Sequence, residues 1–288
     1  MIERFSFDYI SGRLRHLQRS WYINLNLNVH KYKYPASDEL IDIIIPTIAP
    51  DLTIFPVCLE AIKKNVTNRI NKIYIVAPYN EKVLSFCKEY DLEYIDENDV
   101  LGYGAKDIQY VMSNGRDRSG WLFQQLIKLS GNIGECECFI TIDSDHILLK
   151  PHTFLTNEGK YVQYISDEFH WEYYRMNRRL TGRMNLLPYS LIAHKMIFNK
   201  ERIKELKRTI ENYTGLEWDQ AIKQLINPDD VSSFSEFELY GQSIPAECKH
   251  LVYWNEIEKN QKEIKPLAIL QEQFPNKLSV TFSKYHNW

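Results

Sequence analysis

Hydrophobic residues along this chain change their spacing repeatedly, and each change marks an element. Ile41-Asp42-Ile43-Ile44-Ile45-Pro46 is short, β-branched and almost wholly apolar, which predicts a strand buried on both faces. After a loop over 47–51, Phe55, Cys58, Leu59 and Ile62 fall at helical spacing and predict a helix over 53–65. A strand over 72–77, a helix over 80–90 and a short strand over 92–95 follow. Ser119-Gly120 opens a helix over 121–129, and CFITI over 138–142 is a fourth strand. Strands alternating with helices predict βαβ units in an α/β domain, with a mostly parallel central sheet flanked by helices. Such sheets bind ligands beyond the carboxyl ends of their strands.

The second half is less regular. Strands are predicted over 163–166, 189–193 and 277–282, and helices over 199–211, 217–226 and 235–243. Residues 1–35 read as an N-terminal extension and 36–288 as a single domain. Within the extension, positions 8–22 predict a helix with Arg13, Arg15, His16 and Arg19 as its basic side. That side is either a peripheral contact to an anionic membrane or the solvated face of a docked helix.

Composition narrows the class. The 288 residues are 44% hydrophobic and 25% charged, ordinary for a globular chain that buries its own core. A net charge of −3 provides no global basic field, so nucleic acid is not an expected partner. Cys58, Cys87, Cys136, Cys138 and Cys248 form no CxxC pair, which argues against a zinc or redox site, and Cys136 and Cys138, before the fourth strand, read as small buried side chains. The opening MIERFSFDYISGRLRHLQRS carries charges throughout and no apolar h-region, so the expected location is cytoplasmic, at the inner face of the membrane if the basic side docks there.

The sharpest chemical feature is Phe139-Ile140-Thr141-Ile142-Asp143-Ser144-Asp145-His146. An apolar strand runs straight into two carboxylates spaced i, i+2, so both can face one site beyond the sheet edge. Hard oxygen ligands suit Mn²⁺ or Mg²⁺, and a cation relieves the repulsion between them. The plain alternative is a strand that ends in a solvated Asp-Ser-Asp turn.

With these residues the chain resembles the GT-A glycosyltransferases, a Rossmann-like fold whose mid-domain DxD motif follows a strand. IDIIIPTIAP looks like their first strand and donor loop, and TIDSDHILLKP like their DxD strand. RSGWLFQQLIKL, LIAHKMIFNK and FSEFELYG look similar to a bacterial group linked to surface polysaccharide synthesis. The resemblance implies a donor half over 36–155 and an acceptor half over 156–288. It also implies a metal-dependent transfer of sugar from a nucleotide-sugar donor to a hydroxyl of a glycan or glycolipid acceptor. Asp145 would bind the metal directly, while Asp143 would reach it through water or touch the ribose, with Ser144 between them at the donor. His286 matches the late histidine that often completes the metal site in these enzymes. Thr47 occupies the place of the nucleoside, unless it is a loop hydroxyl. Gln124 and Lys128, i and i+4 on one helix, would face the donor, unless they form a solvent-facing stripe.

Glu236 and Glu238 offer a catalytic base for the acceptor hydroxyl, Glu236 first. The family pattern there often reads Glu-Asp, whereas here Phe237 splits the two acids, and Ser235 to Glu238 also reads as a capping box. His194, taken as the end of an apolar strand, and Trp171 with Arg179 in an aromatic and arginine-rich stretch would line the acceptor site. Two other classes compete. A haloacid-dehalogenase phosphatase would use Asp143 as a nucleophile, although its motif normally opens the chain. A non-catalytic nucleotide-sugar-binding module would have no need of the late acidic pair.

Overall fold

The computed structural model describes residues 7–283. Helix α1 (Phe7–Leu25) precedes strand β1 (Leu40–Pro46), α2 (Phe55–Asn65), β2 (Arg69–Ala77), α3 (Glu81–Tyr90), β3 (Glu93–Asp96) and the short α4 (Glu97–Leu101). Helix α5 (Ser119–Ser130) leads into β4 (Cys138–Ile142), β5 (His146–Leu148) and β6 (Tyr161–Ile165). Then come α6 (Trp171–Thr181), β7 (Lys195–Asn199), α7 (Lys200–Thr214), α8 (Trp218–Leu225) and α9 (Glu236–Ser243). The described chain closes with β8 (Lys249–Tyr253), β9 (Glu256–Asn260), α10 (Leu267–Gln273) and β10 (Ser279–Ser283).

The central sheet runs β3-β2-β1-β4-β7. Every pair is parallel except β4 with β7, so the protein is a mixed α/β fold with a mostly parallel central sheet and flanking helices. Strands β1 and β4 are central, which explains their near-continuous apolar runs: a strand covered on both faces has no polar side to alternate with. A second sheet orders β5-β10-β9, and β6 pairs with β8.

The join between β4 and β5 decides where the two carboxylates of the Asp-Ser-Asp run fall. Strand β4 belongs to the central sheet and β5 to the second. Asp143, Ser144 and Asp145 make the turn between them, closed by the His146 amide on the Asp143 carbonyl at 3.0 Å. The Asp143 amide extends the β4–β7 ladder onto the His194 carbonyl, and the Asp145 carbonyl accepts from the Phe282 amide in the other sheet. The turn is thus pinned on both sides.

The segment 189–193 is not a strand, contrary to expectation. Its single bridge joins Ser190 to Ser166, and the true strand β7 starts only after His194. His194 therefore precedes the strand instead of ending one. It adopts a left-handed backbone (φ 56°), a conformation that costs a non-glycine residue about 1–3 kcal/mol and persists where the surroundings enforce it. On α1, Arg19 is not part of an outer basic side: it is 1% exposed, donates to the carbonyls of Glu168 and Leu187, and lies 4.8 Å from the Phe169 ring centroid. Among the described residues no helix is long and apolar enough to cross a membrane.

Candidate active site

A cleft of about 470 Å³ opens beyond the carboxyl ends of β1 and β4. Its walls include Pro46, Asp51, Asp143, Ser144 and Asp145 from the strand ends, and Arg118, Trp121, Gln124, Gln125 and Lys128 from α5 and the turn before it. Glu168, His170, Tyr173, Ile192, His194 and the start of α9, from Phe234 to Phe237, complete it.

Lys128 organises the buried side. Its Nζ lies 2.8 Å from Asp143 Oδ1 and 2.9 Å from Glu236 Oε1, and its side chain is 8% exposed. Burial alone would push this ammonium to lose its proton, but the two carboxylates outweigh burial and hold it above the ordinary lysine value. His194 donates Nδ1–H to the other Asp143 oxygen at 2.9 Å. Burial opposes its charge too, yet Asp143 and Glu256 raise it to about 10, so it is an imidazolium at neutral pH. Between these two cations Asp143, despite burial, stays ionised well below the usual carboxylate range.

Asp145 is the reverse case. Among the described residues it has no hydrogen bond or ion pair to another side chain. Burial first, then the charges of Asp143 and Asp51, raise its carboxyl to about 7. Ser144 donates to Asp51 at 3.2 Å and fixes the turn against the loop after β1.

Behind His194 runs a buried donor chain that the sequence did not suggest. Lys195 Nζ donates to His146 Nε2 at 2.9 Å, His146 Nδ1 to Thr281 Oγ1 at 2.7 Å, and Thr281 to Glu256 Oε2 at 3.2 Å. Glu256 Oε1 then faces His194 Nε2 at 3.9 Å. The histidine tautomer follows from this donor order. Trp254 stacks on His194 with centroids 5.8 Å apart. Together these contacts hold the imidazolium over Asp143.

Of the residues singled out from the sequence, Gln124, Lys128, Asp143, Ser144, Asp145, His194 and Glu236 converge on this cleft. Others do not. Thr47 is 1% exposed behind Pro46 and its amide extends the β1–β2 ladder. Glu238 is buried away from the cleft. Its Oε1 accepts from Ser190 Oγ at 2.6 Å and from the Leu191 amide at 3.0 Å, and its Oε2 from Gln242 at 3.0 Å. Ser235 caps α9 through the Glu238 amide at 3.2 Å, but the Glu238 carboxylate does not return to close a capping box. Trp171 donates to Ser11 on α1, and Arg179 ties Glu172 to the Leu225 carbonyl, so neither reaches the cleft. His286 lies outside the described residues.

Several cleft residues escaped sequence reasoning. Gln125 accepts from the Glu236 amide at 3.2 Å, and Arg118 stacks 4.1 Å from the Trp121 ring centroid. Glu168, 37% exposed, is raised by the surrounding walls and then by Glu256, Glu238 and Asp167. No local signal marks it, because Glu256 and Glu238 arrive from other parts of the chain. The cleft carries five carboxylates, Asp51, Asp143, Asp145, Glu168 and Glu236, against Arg118, Lys128 and the His194 imidazolium. No trio of His, Cys, Asp or Glu is preassembled for a metal among the described residues. Mg²⁺ and its like need no such cage, since they bind through one or two carboxylates, waters and substrate phosphates. A half-buried Asp145 with no side-chain partner, beside Asp143 in an acidic cleft, fits that mode.

A mixed α/β domain with a polar, acid-lined cleft at its strand ends is thus defined. The chain belongs to the family described as "Family of unknown function (DUF6492)", whose model matches residues 38–278. No curated protein matches it. Among solved structures it is similar to mouse xyloside xylosyltransferase 1 in its apo form, at 11% identity and a TM-score of 0.45, over 85% of this chain and 98% of that one. It is also similar to the apo WbbM bifunctional glycosyltransferase, at 10% identity and a TM-score of 0.42, over 88% of this chain. Only 47% of the WbbM chain is spanned. Both of these neighbours are glycosyltransferases.

Proposed function

We propose that the protein is a GT-A-like, metal-dependent glycosyltransferase that moves a sugar from a nucleotide-sugar donor to a hydroxyl of a glycan or glycolipid acceptor, in bacterial surface polysaccharide synthesis. The observation that carries this reading is Asp145: a half-buried carboxylate with no ion pair of its own, two residues from one that has two. A diphosphate entering so acidic a cleft needs a counter-cation, and Asp145 is the group placed to hold Mn²⁺ or Mg²⁺ with Asp143 in reach. A divalent ion there supplies Lewis-acid stabilisation of the departing diphosphate.

The protein's own residues do the rest. Lys128 and His194 keep Asp143 ionised and oriented. Arg118 and Gln124, at the cleft wall, face the donor side. Glu236 is placed to take the proton of the acceptor hydroxyl, its Oε1 fixed by Lys128. A second reading gives that proton to Glu168, because its raised carboxyl is the better match to a base working near neutral pH. The phosphatase reading is weaker on this geometry, since both oxygens of Asp143 are occupied by cations.

Titration calorimetry with Mn²⁺ and a panel of nucleoside diphosphates tests the proposal. Metal-dependent nucleotide binding in the native protein and its loss in Asp145→Asn are the expected results. Nucleotide binding that ignores both metal and Asp145 would overturn it. With a donor in hand, the pair Glu236→Gln and Glu168→Gln identifies the base as the variant that loses turnover by about 10²-fold or more while retaining donor affinity.

A further inference from the structure

Helix α1 has two faces that differ in kind. Its inner face carries the buried Arg19 and Ile23, and Ser20 and His16 bond to Asp167 at 2.5 and 2.7 Å. On the outer face, Ile10, Leu14, Leu17, Trp21 and Leu25 are 46%, 62%, 55%, 70% and 80% exposed. Their spacing puts all five in one arc about 80° wide, at roughly 100° per residue. Leu27, just beyond the helix, is also exposed. Single exposed leucines are ordinary, but a continuous large apolar stripe on the solvent side of a helix marks a surface that something covers.

We propose that α1 is an interfacial helix that lies in the surface of an anionic bilayer, with this stripe sunk towards the acyl chains. Charge favours a lipid occupant. Leaving aside the buried Arg19, the chain between positions 8 and 33 has four basic residues (Arg13, Arg15, Lys31 and Lys33) and one acidic residue, Asp8. Asp8 is taken by Arg175 at 2.6 Å. A chain of net charge −3 thereby presents a locally positive side to anionic headgroups. Trp21, amphipathic and central in the stripe, suits the headgroup boundary. A seam of little more than two heptads is too short for a stable coiled coil with a second copy. The inner face of the same helix holds the chain at Asp167 and Glu168, and Glu168 lines the cleft, so docking brings the cleft rim to the membrane surface. The corollary, a lipid-borne acceptor, rests on the transferase reading; bilayer binding does not.

Flotation of the full chain with vesicles of equal parts phosphatidylglycerol and phosphatidylcholine, without metal or nucleotide, tests the helix directly. Wild-type protein should float with these vesicles and be released by salt. Vesicles of phosphatidylcholine alone, and the Leu14→Ser, Leu17→Ser, Trp21→Ser triple variant, should each weaken binding by roughly tenfold or more. Because all three side chains are exposed, the triple variant should keep the wild-type thermal melt. Wild-type protein that stays unbound, or a triple variant that floats as well as wild type, would overturn the proposal. So would a wild-type dimer that the triple variant splits without any vesicle binding, which would assign the stripe to a second copy. A negative result here leaves the calorimetry with Mn²⁺ and nucleotides untouched, and the reverse holds too.

Discussion

In the metal-free protein Asp145 carries a charge that its surroundings oppose: burial, then Asp143 and Asp51, raise its carboxyl from 3.8 to about 7. The folded state holds this proton more tightly than the unfolded chain. The stability it contributes is therefore fully present below about pH 4 and is lost as pH rises through 7. Asp145→Asn removes the penalty, and in chelator at about pH 8 it should raise unfolding free energy by about 1–3 kcal/mol. A denaturant melt showing no gain at that pH would mean the carboxylate is already neutralised within the protein. Lys128→Met acts in the opposite direction. It leaves Glu236, whose side chain is 4% exposed, without its cation and Asp143 with His194 alone, and a loss of about 3–5 kcal/mol is expected by the same measurement. The pair Asp143 and Asp145 was legible because an apolar strand pointed at it. Glu256 and Lys195 were not, since their partners lie on strands far apart in the sequence and only folding brings them to His194.

Elements were legible where one face or both were uniformly apolar. Strands β1 and β4 and helices α2, α3 and α5 announce themselves through burial alone. The run SLIAHKMIF did not resolve, because both of its halves are apolar while only the second is a strand. What breaks it is the left-handed His194 together with Glu238, whose carboxylate captures Ser190 and the Leu191 amide from a helix some forty-eight residues on. Periodicity has no access to such a contact. Glu238→Gln keeps the shape and loses the charge-assisted bonds, so stability should fall by about 1–3 kcal/mol. Nucleotide affinity should change little, since Glu238 does not line the cleft. Parallel denaturation and calorimetry separate the two effects. A large loss of affinity with unchanged stability would move Glu238 back into the binding machinery.

At the scale of the molecule, the alternation of strand and helix predicted the parallel sheet and the end of it at which the cleft opens. The second sheet stayed hidden because β5 is three residues long and β9 has a single apolar residue, Ile257, among polar ones, so neither reads as a strand in isolation. That hidden sheet explains why the acidic turn is so firmly placed. Asp143 is anchored in one layer and Asp145 in the other, so the three residues between Ile142 and His146 are a covalent rivet joining two hydrogen-bonded plates. A ligand that clamps both carboxylates tightens both plates at once. Amide exchange in β5 and β10 should then slow on addition of Mn²⁺ with a nucleoside diphosphate, in step with β4 and β7, although β10 contributes no side chain to the cleft walls. Slowing confined to β4 and β7 would show the plates moving separately. If they do move together, substitutions at the far edge of the second sheet should tune nucleotide affinity as effectively as changes beside the cleft.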